Sequence, residues 1–290
     1  VNTVLLTGGT GFLGSHLLNE LSDRYRFVLL KRSFSGIQRI ETIIDTVQSY
    51  DIDTCPLETV FREEKIGCIL HAATNYGRSG EPFHRLFQDN VQFPLTLLKL
   101  SIENNVELFI NTDTFYTKSN HIYPSATYYC LSKIQLRQWL KALSDRIKVV
   151  NLRLEHVYGP NDNQNKFIPF LAEQLVKNRP EIPLTQGIQK RDFIYVDDVV
   201  RAYELVLNNK GRILEPFLEF EIGTGRATAV SELVKLMQTI SNSQSKLAFG
   251  KLPDRDGEIM QSTAQTEAIA ALGWKPKISL TEGIKRIFHE

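Results

Sequence analysis

Tyr129-Cys130-Leu131-Ser132-Lys133 sets a phenol and an ammonium four residues apart in a stretch that reads as helix. Residues at that spacing share one helical face, so both groups can serve one site. A phenol ordinarily titrates near ~10, and a cation beside it favours the phenolate. Such a tyrosine can exchange a proton with a hydroxyl or a ketone near neutral pH. Upstream, the apolar run Leu108–Asn111 ends in Thr112-Asp113-Thr114, and Thr112 is a candidate to hydrogen-bond the same oxygen. Tyr-x-x-x-Lys by itself also fits a surface helix pair. Its place downstream of a glycine-rich loop favours chemistry. The neighbouring Tyr128 has only Ser132 four residues on.

That loop is Thr7-Gly8-Gly9-Thr10-Gly11-Phe12-Leu13-Gly14, between an apolar run and an amphipathic stretch. A pyrophosphate needs backbone N–H groups at close range and the positive end of a helix dipole, and side chains would obstruct both. A strand–glycines–helix context makes dinucleotide binding a stronger reading than a structural turn. Gly8, Thr10, Gly11, Phe12, Leu13 and Gly14 are therefore the first cofactor candidates. The second apolar run, Phe27–Leu30, is followed by Lys31-Arg32-Ser33 with no acid. An acid there would hold the ribose hydroxyls of NAD, whereas basic groups accommodate the 2′-phosphate of NADP. The expectation is NADP(H); the competing reading is a solvated basic loop.

Elements must hold these groups together. Apolar runs at Thr3–Leu6, Phe27–Leu30, Cys68–His71, Leu108–Asn111 and Val149–Leu154 alternate with helical patterns such as Phe12–Leu21 and Tyr129–Leu143. That alternation predicts βαβ units: an α/β, Rossmann-type doubly wound parallel sheet. Past Gly159 the pattern changes. Phe167–Val176, Asp198–Leu207, Val230–Ile240 and Ala264–Leu272 read as helices and Arg191–Val196 as a strand. The expectation is a cofactor lobe over 1–155 with about 190–225, and a smaller C-terminal lobe over about 156–189 and 226–290. The smaller lobe should lie over the carboxyl ends of the strands, where open α/β sheets bind ligands.

Composition narrows the function classes. The chain has 290 residues, 42% apolar and 23% charged, with a net charge of +1. Those are ordinary globular values, and the balance points to neither nucleic acid nor an anionic membrane surface. Three cysteines without a C-x-x-C pair argue for a reducing compartment and against a disulfide framework. No apolar run approaches the ~18 residues of a membrane span. The stretch Val4–Leu6 runs straight into glycines and does not read as a signal peptide, so a cytoplasmic protein is expected, with room for residues before Val1. The six histidines, His121 among them, lack metal-ligand spacing, so no metal site is expected. Asp197-Asp198 reads as a helix N-terminal pair rather than a catalytic one.

The glycine spacing, Asn111–Tyr116, Tyr129 with Lys133, Arg153–Pro160, Arg191–Asp198 and Gly273-Trp274-Lys275-Pro276 together resemble one family. It is the extended short-chain dehydrogenase/reductase type, the NAD-dependent epimerase/dehydratase family, and the resemblance covers essentially the whole chain. It implies Thr112, Tyr129 and Lys133 as the catalytic set. It implies Asp51 and Ile52 near the adenine, His71, Ala72 and Ala73 along the cofactor, and Asn90 beside the active site. For a nucleotide-sugar substrate it implies Arg191 and Arg255 at the diphosphate, with Thr74, Asp113, Thr114, His156, Lys166 and Phe167 completing the pocket. Sugar 4,6-dehydratases of the family carry Thr-Asp-Glu where this chain has Thr112-Asp113-Thr114. Elimination of water needs both a base and an acid, so the missing carboxylate argues against dehydration. His156 stands where the family often has asparagine; a catalytic role for it competes with simple polar packing. The implied activity is NADPH-dependent reduction at C4 of a nucleotide-linked 4-keto deoxysugar, CDP-linked by the stretches Asn151–Pro169 and Lys190–Val200. The alternatives are a nucleotide-sugar 4-epimerase with retained NAD and, in another class, a non-catalytic NADP-sensing protein. The resemblance also implies a homodimer through the helices near Asn90–Asn104 and Tyr129–Leu143.

Overall fold

A computed structural model describes residues 3–78, 80–118 and 126–289, which leaves His121 outside the described residues. The chain opens with β1 (Thr3–Thr7), α1 (Phe12–Leu21), β2 (Arg26–Lys31), β3 (Gln48–Asp51), α2 (Leu57–Glu63) and β4 (Cys68–His71). It continues through α3 (Phe83–Phe87), a π-helical turn at Gln88–Gln92, α4 (Phe93–Glu103), β5 (Leu108–Thr114), α5 (Thr127–Ala142) and β6 (Lys148–Leu154). Then come β7 (His156–Tyr158), α6 (Phe167–Val176), β8 (Glu181–Pro183), β9 (Lys190–Arg191), β10 (Phe193–Tyr195) and α7 (Val196–Asn208). The remainder is β11 (Phe217–Ile222), β12 (Thr228–Ala229), α8 (Val230–Ser241), β13 (Lys246–Ala248), α9 (Glu267–Ala270) and α10 (Leu280–His289).

Among the described residues the central sheet has seven strands in the order β11-β6-β5-β4-β1-β2-β3. β1 runs parallel to both β2 and β4, β2 to β3, and β4 to β5. The order reverses between β1 and β4, as the Rossmann-type doubly wound reading requires. All five residues of β1 and all four of β4 are buried, because helices cover both faces of a parallel sheet. Leu5, Val28, Ile69, Phe109 and Val149 supply one core layer from successive strands, against Leu97 and Leu98 of α4 and Leu136 and Leu140 of α5.

Two compact units form. The first takes the described residues up to 118 with 126–153 and 200–220; the second takes 154–199 and 221–289. Residues 190–199, grouped by the sequence reading with the first lobe, make their contacts in the second unit. There the buried Asp192 carboxylate accepts from the backbone N–H of Thr224, Gly225 and Ala264. The run expected as one strand at Arg191–Val196 is two short strands on different partners, β9 with β12 and β10 with β7. The helix expected at Ala264–Leu272 shortens to α9.

Candidate active site

The glycine loop bends where a side chain cannot go. Gly8 has φ +72°, and a Cβ on it would lie 2.6 Å from the Ala73 nitrogen. A Cβ on Gly14 would lie 2.1 Å from the Gly8 carbonyl oxygen. Gly11 donates its N–H to that same oxygen at 2.9 Å, which closes the turn into α1. No side chain caps the N-terminus of α1, and no acid stands in its first turn. The first N–H groups and the positive dipole end are therefore presented by Thr10, Gly11, Phe12 and Leu13, the geometry that suits a pyrophosphate. These residues fit a dinucleotide.

Beside it in the sheet, β4 lies on one side of β1, and β2 followed by β3 on the other. In the parallel register Lys31 pairs with Asp51, and Ile52 donates its N–H to the Lys31 carbonyl at 3.0 Å. The sequence reading found the basic run here but not its acidic surroundings. Arg32 Nε donates to Asp53 at 2.5 Å, with Asp89 at 3.9 Å, and Ser33 donates its hydroxyl to Asp51 at 2.6 Å. That bond, reinforced by the Asp53 N–H, holds the Asp51 carboxyl below its ordinary range. At the point where strand order reverses, Thr7 and His71 are register neighbours. The Thr7 hydroxyl lies 2.8 Å from His71 Nδ1 and accepts from the Ala73 N–H at 3.2 Å. Burial, with the Lys133 charge nearby, pushes His71 down to about 3, so its ring is neutral.

Asn90 lies in the π-helical turn, a deviation frequent at functional sites. Its amide is fully used inside the protein. The oxygen accepts from the Asn75 N–H and the Thr74 hydroxyl; the nitrogen donates to the Asn75 carbonyl and the Ser132 hydroxyl. Asn90 thus ties the segment after β4 to α5, one residue before Lys133.

The end of β5 brings the proton-handling groups together. Side chains alternate along a strand, so Thr112 and Thr114 share one face while Asn111 and Asp113 take the other. Asp113 is turned away from Tyr129: its carboxylate accepts from Thr117 and from Asn151, each at 2.9 Å. On the other face the Thr114 hydroxyl bonds the Tyr129 phenol. Thr112 Oγ1 lies 2.6 Å from the hydroxyl of Tyr203. Lys133 donates its ammonium to the Thr112 carbonyl at 2.9 Å. Tyr76 packs on Tyr129 with ring centroids 5.1 Å apart, and Tyr116 meets it edge-on at 6.2 Å.

Electrostatics depart from the sequence expectation in one respect. Burial pushes the Tyr129 phenol well above its ordinary value; Tyr76 adds to this, and the Thr114 bond opposes it. The lysine was expected to lower it, but desolvation of a phenolate dominates. Burial also brings Lys133 down to about 8, against the opposing pull of Asp113. Tyr76, Asp53, Asp89 and Tyr203 are the residues that motif reading missed. Tyr203 sits in an apolar helical pattern with Val199, Ala202 and Val206, so it reads as core.

The second unit holds the remaining candidates. Arg191, with its side chain 6% exposed, donates to Glu258 at 2.5 Å and to the Lys190 carbonyl at 2.9 Å. Arg255 is exposed, and its carbonyl accepts from the Glu258 N–H at 3.2 Å, so Glu258 links the two arginines. His156 lies edge-on to Phe193 at 5.9 Å, with Nδ1 3.7 Å from the buried Glu155 carboxylate. Burial lowers its basicity, and Glu155 opposes that. Lys166 pairs with Asp162 at 2.9 Å ahead of α6, whose first residue Phe167 is exposed.

Comparison with known proteins bears on what this arrangement is. Residues 4–223 match the family described as NAD dependent epimerase/dehydratase. The chain is 35% identical to the CDP-abequose synthase of Salmonella muenchen, over 98% of this chain and 96% of that protein. It is 32% identical to the human dTDP-D-glucose 4,6-dehydratase, over 98% of this chain and 88% of the relative. Among solved structures it resembles the UDP-glucose 4-epimerase of Thermotoga maritima, determined with UDP-glucose. That likeness has a TM-score of 0.85 and 27% identity, covering 99% of this chain and 97% of the other. The matched segment contains the glycine loop, the β5 end and the Tyr129/Lys133 pair, and the chain belongs to the NAD dependent epimerase/dehydratase family as an NAD(P)-dependent enzyme of the extended short-chain dehydrogenase/reductase type.

Proposed function

We propose that the chain is an NADPH-dependent 4-ketoreductase acting on a nucleotide-linked, and specifically CDP-linked, 4-keto deoxysugar. The observation that carries this reading is the end of β5. It offers hydroxyls and an ammonium around Tyr129, while Asp113 spends its carboxylate on Thr117 and Asn151 and Thr114 is no acid. Elimination of water needs an acid and a base, so these groups suit reduction better than dehydration. Similarity to CDP-abequose synthase supports the CDP-linked class.

When bound, the nicotinamide supplies a hydride to C4 of the sugar. Tyr129 gives its phenolic proton to the C4 oxygen, so the ketone becomes a hydroxyl. Thr112 donates a hydrogen bond to that oxygen as negative charge develops on it. Thr114 donates to the phenolate left on Tyr129. Lys133 supplies a positive charge to the phenolate and a donor to the nicotinamide ribose. Within the second unit, Arg191 and Arg255 are the forked donors suited to a diphosphate, and Lys166, Phe167 and His156 complete that unit's candidate set.

Preference for NADPH is supported by Lys31, Arg32 and Ser33 and tempered by the acids around them. Arg32 keeps donors beyond the one given to Asp53, but a 2′-phosphate must share it with that carboxylate. NADPH is expected to bind several-fold more tightly than NADH, and Arg32→Ala should erase most of the difference in a fluorescence titration. A wild-type preference for NADH would overturn the assignment.

The deciding experiment follows NADPH absorbance with CDP-, dTDP- and UDP-linked 4-keto sugars. Net oxidation supports the reductase. Inversion at C4 of the corresponding 4-hydroxy nucleotide sugars, with retained NAD and no net change in the NADPH band, supports the second reading, a 4-epimerase, which the likeness to a solved 4-epimerase favours. Tyr129→Phe should lower turnover by about 10²–10⁴-fold with cofactor affinity nearly intact, and near-normal turnover in that variant would sink the mechanism.

A further inference from the structure

The hydroxyl of Tyr203 is buried, on a residue 0% exposed, 2.6 Å from Thr112 Oγ1. Its helix α7 carries it in an apolar stripe with Val199, Ala202 and Val206, each buried. A phenol in such a place needs a partner for its hydrogen, since a buried donor left unsatisfied loses the hydrogen bond that water gave it in the unfolded chain. Thr112 is the partner the structure gives it. The two hydroxyls could share one hydrogen bond in either direction, and chemistry selects between them. A phenol is a far stronger acid than an aliphatic alcohol, so it is the better donor, and the alcohol the better acceptor. If Thr112 donated instead, the Tyr203 hydrogen would be stranded in the core.

We infer that Tyr203 is a positioning residue that fixes the polarity of Thr112. By donating to Thr112 Oγ1 it occupies one lone pair and turns the threonine hydrogen outward, so that Thr112 meets an incoming oxygen as a donor. A threonine on an open face would rotate freely among its staggered hydroxyl orientations and would have to be ordered at each turnover. Here the orientation is set in advance, which is what a group stabilising a developing alkoxide requires. The carbonyl of the same residue accepts from Lys133, so Thr112 is held at both its backbone and its side chain. The Thr112–Tyr203 pair is thereby distinct from the Thr114–Tyr129 pair beside it: one prepares a hydrogen-bond donor, the other attends the proton source. This inference rests on the proposed reaction at C4, whether as reduction or as epimerisation.

The test is a double-mutant cycle on the full chain. Tyr203→Phe keeps the ring in the core and deletes only the donor. In the wild-type background it should lower kcat about tenfold, with little change in KM for the keto sugar and none in NADPH affinity. In a Thr112→Val background the same change should cost less than about twofold, because there is no hydroxyl left to orient. A full tenfold loss in both backgrounds would mean a general structural role, and undiminished kcat in Tyr203→Phe would mean no role; either result overturns the inference. Turnover is read as whichever reaction the wild type performs. If it performs neither, the reductase reading falls on the wild-type protein alone. The pair is then judged by unfolding in urea, where additive effects of Tyr203→Phe and Thr112→Val would show that the bond does not exist.

Discussion

Lys133 is the residue whose charge state is most exposed to experiment. Its ammonium, desolvated in the first unit, titrates at about 8 instead of its ordinary 10.5, and Asp113 is the charge that keeps it from falling further. A lysine with a depressed value is charged below that value and loses its proton as pH rises through it. Cofactor affinity of the free protein should therefore hold below pH 8 and weaken above it, if Lys133 serves the nicotinamide ribose. Removing Asp113 withdraws an upward influence, so Asp113→Asn should move the midpoint to lower pH. Titrations of NADPH binding across pH 6–10 check both, and a flat profile in the wild type would contradict the role given to the lysine. Tyr128 provides the control at the same scale. It is 55% exposed one residue before the buried Tyr129, so Tyr128→Phe should leave turnover almost unchanged. The spacing to Lys133 already separates these two tyrosines in the sequence; their burial explains why only one can be tuned.

At the scale of elements, the glycine loop makes the sharpest expectation. A methyl on Gly14 would come 2.1 Å from the Gly8 carbonyl oxygen, and the obstacle is backbone, so it cannot rotate aside. Gly14→Ala should abolish dinucleotide binding and destabilise the first unit. Gly11→Ala meets the same oxygen at 3.2 Å and should cost less. Calorimetric titration with NADPH and thermal melting of the two variants would reverse this order only if the loop were not the cofactor cradle. The loop was legible because its glycines sit between a continuous apolar strand and an amphipathic helix. β3 was not legible. Its residues Gln48–Asp51 are polar or half-buried at the sheet edge and leave no apolar run. With β3 unread, its register against β2 was unread too, and so was the pairing of Arg32 with Asp53.

For the whole molecule, two expectations concern stability and assembly. His71 is buried and neutral, its value lowered from 6.5 to about 3. A depressed histidine contributes stability that is present above its unfolded value and is lost as pH falls toward its folded one. At ~1.36 kcal/mol per unit the contribution is a few kcal/mol. Urea unfolding between pH 7 and pH 4 should show His71→Asn losing less stability on acidification than the wild type; an equal loss would place the acid sensitivity elsewhere. Assembly through α4 and α5, proposed from the family, has a concrete face: Leu95, Ile102, Leu143 and the 51%-exposed Trp139, rimmed by Lys99, Glu103 and Arg146. An apolar patch with a polar rim is what a two-fold interface buries. Sedimentation should find a dimer at micromolar concentration that Trp139→Glu converts to monomer, and a monomeric wild type would refute it. Among the described residues no helix is long and apolar enough to cross a membrane.

The sequence by itself determined the fold class, the glycine turn between β1 and α1, and the family, because these are written in local order. Glycine spacing, strand-length apolar runs and a four-residue Tyr–Lys offset act through backbone geometry that neighbours along the chain impose. Only the tertiary structure decided what each polar group faces. Asp113 lies next to Thr112 and Thr114 in sequence, yet strand alternation turns it away to Asn151, 38 residues on. Thr112 meets Tyr203 across 91 residues, and Arg191 meets Glu258 across 67. The direction of the Tyr129 shift belongs to the same class. It depends on how much water the packed chain removes from the phenol, a quantity set by all the elements around it and by no motif.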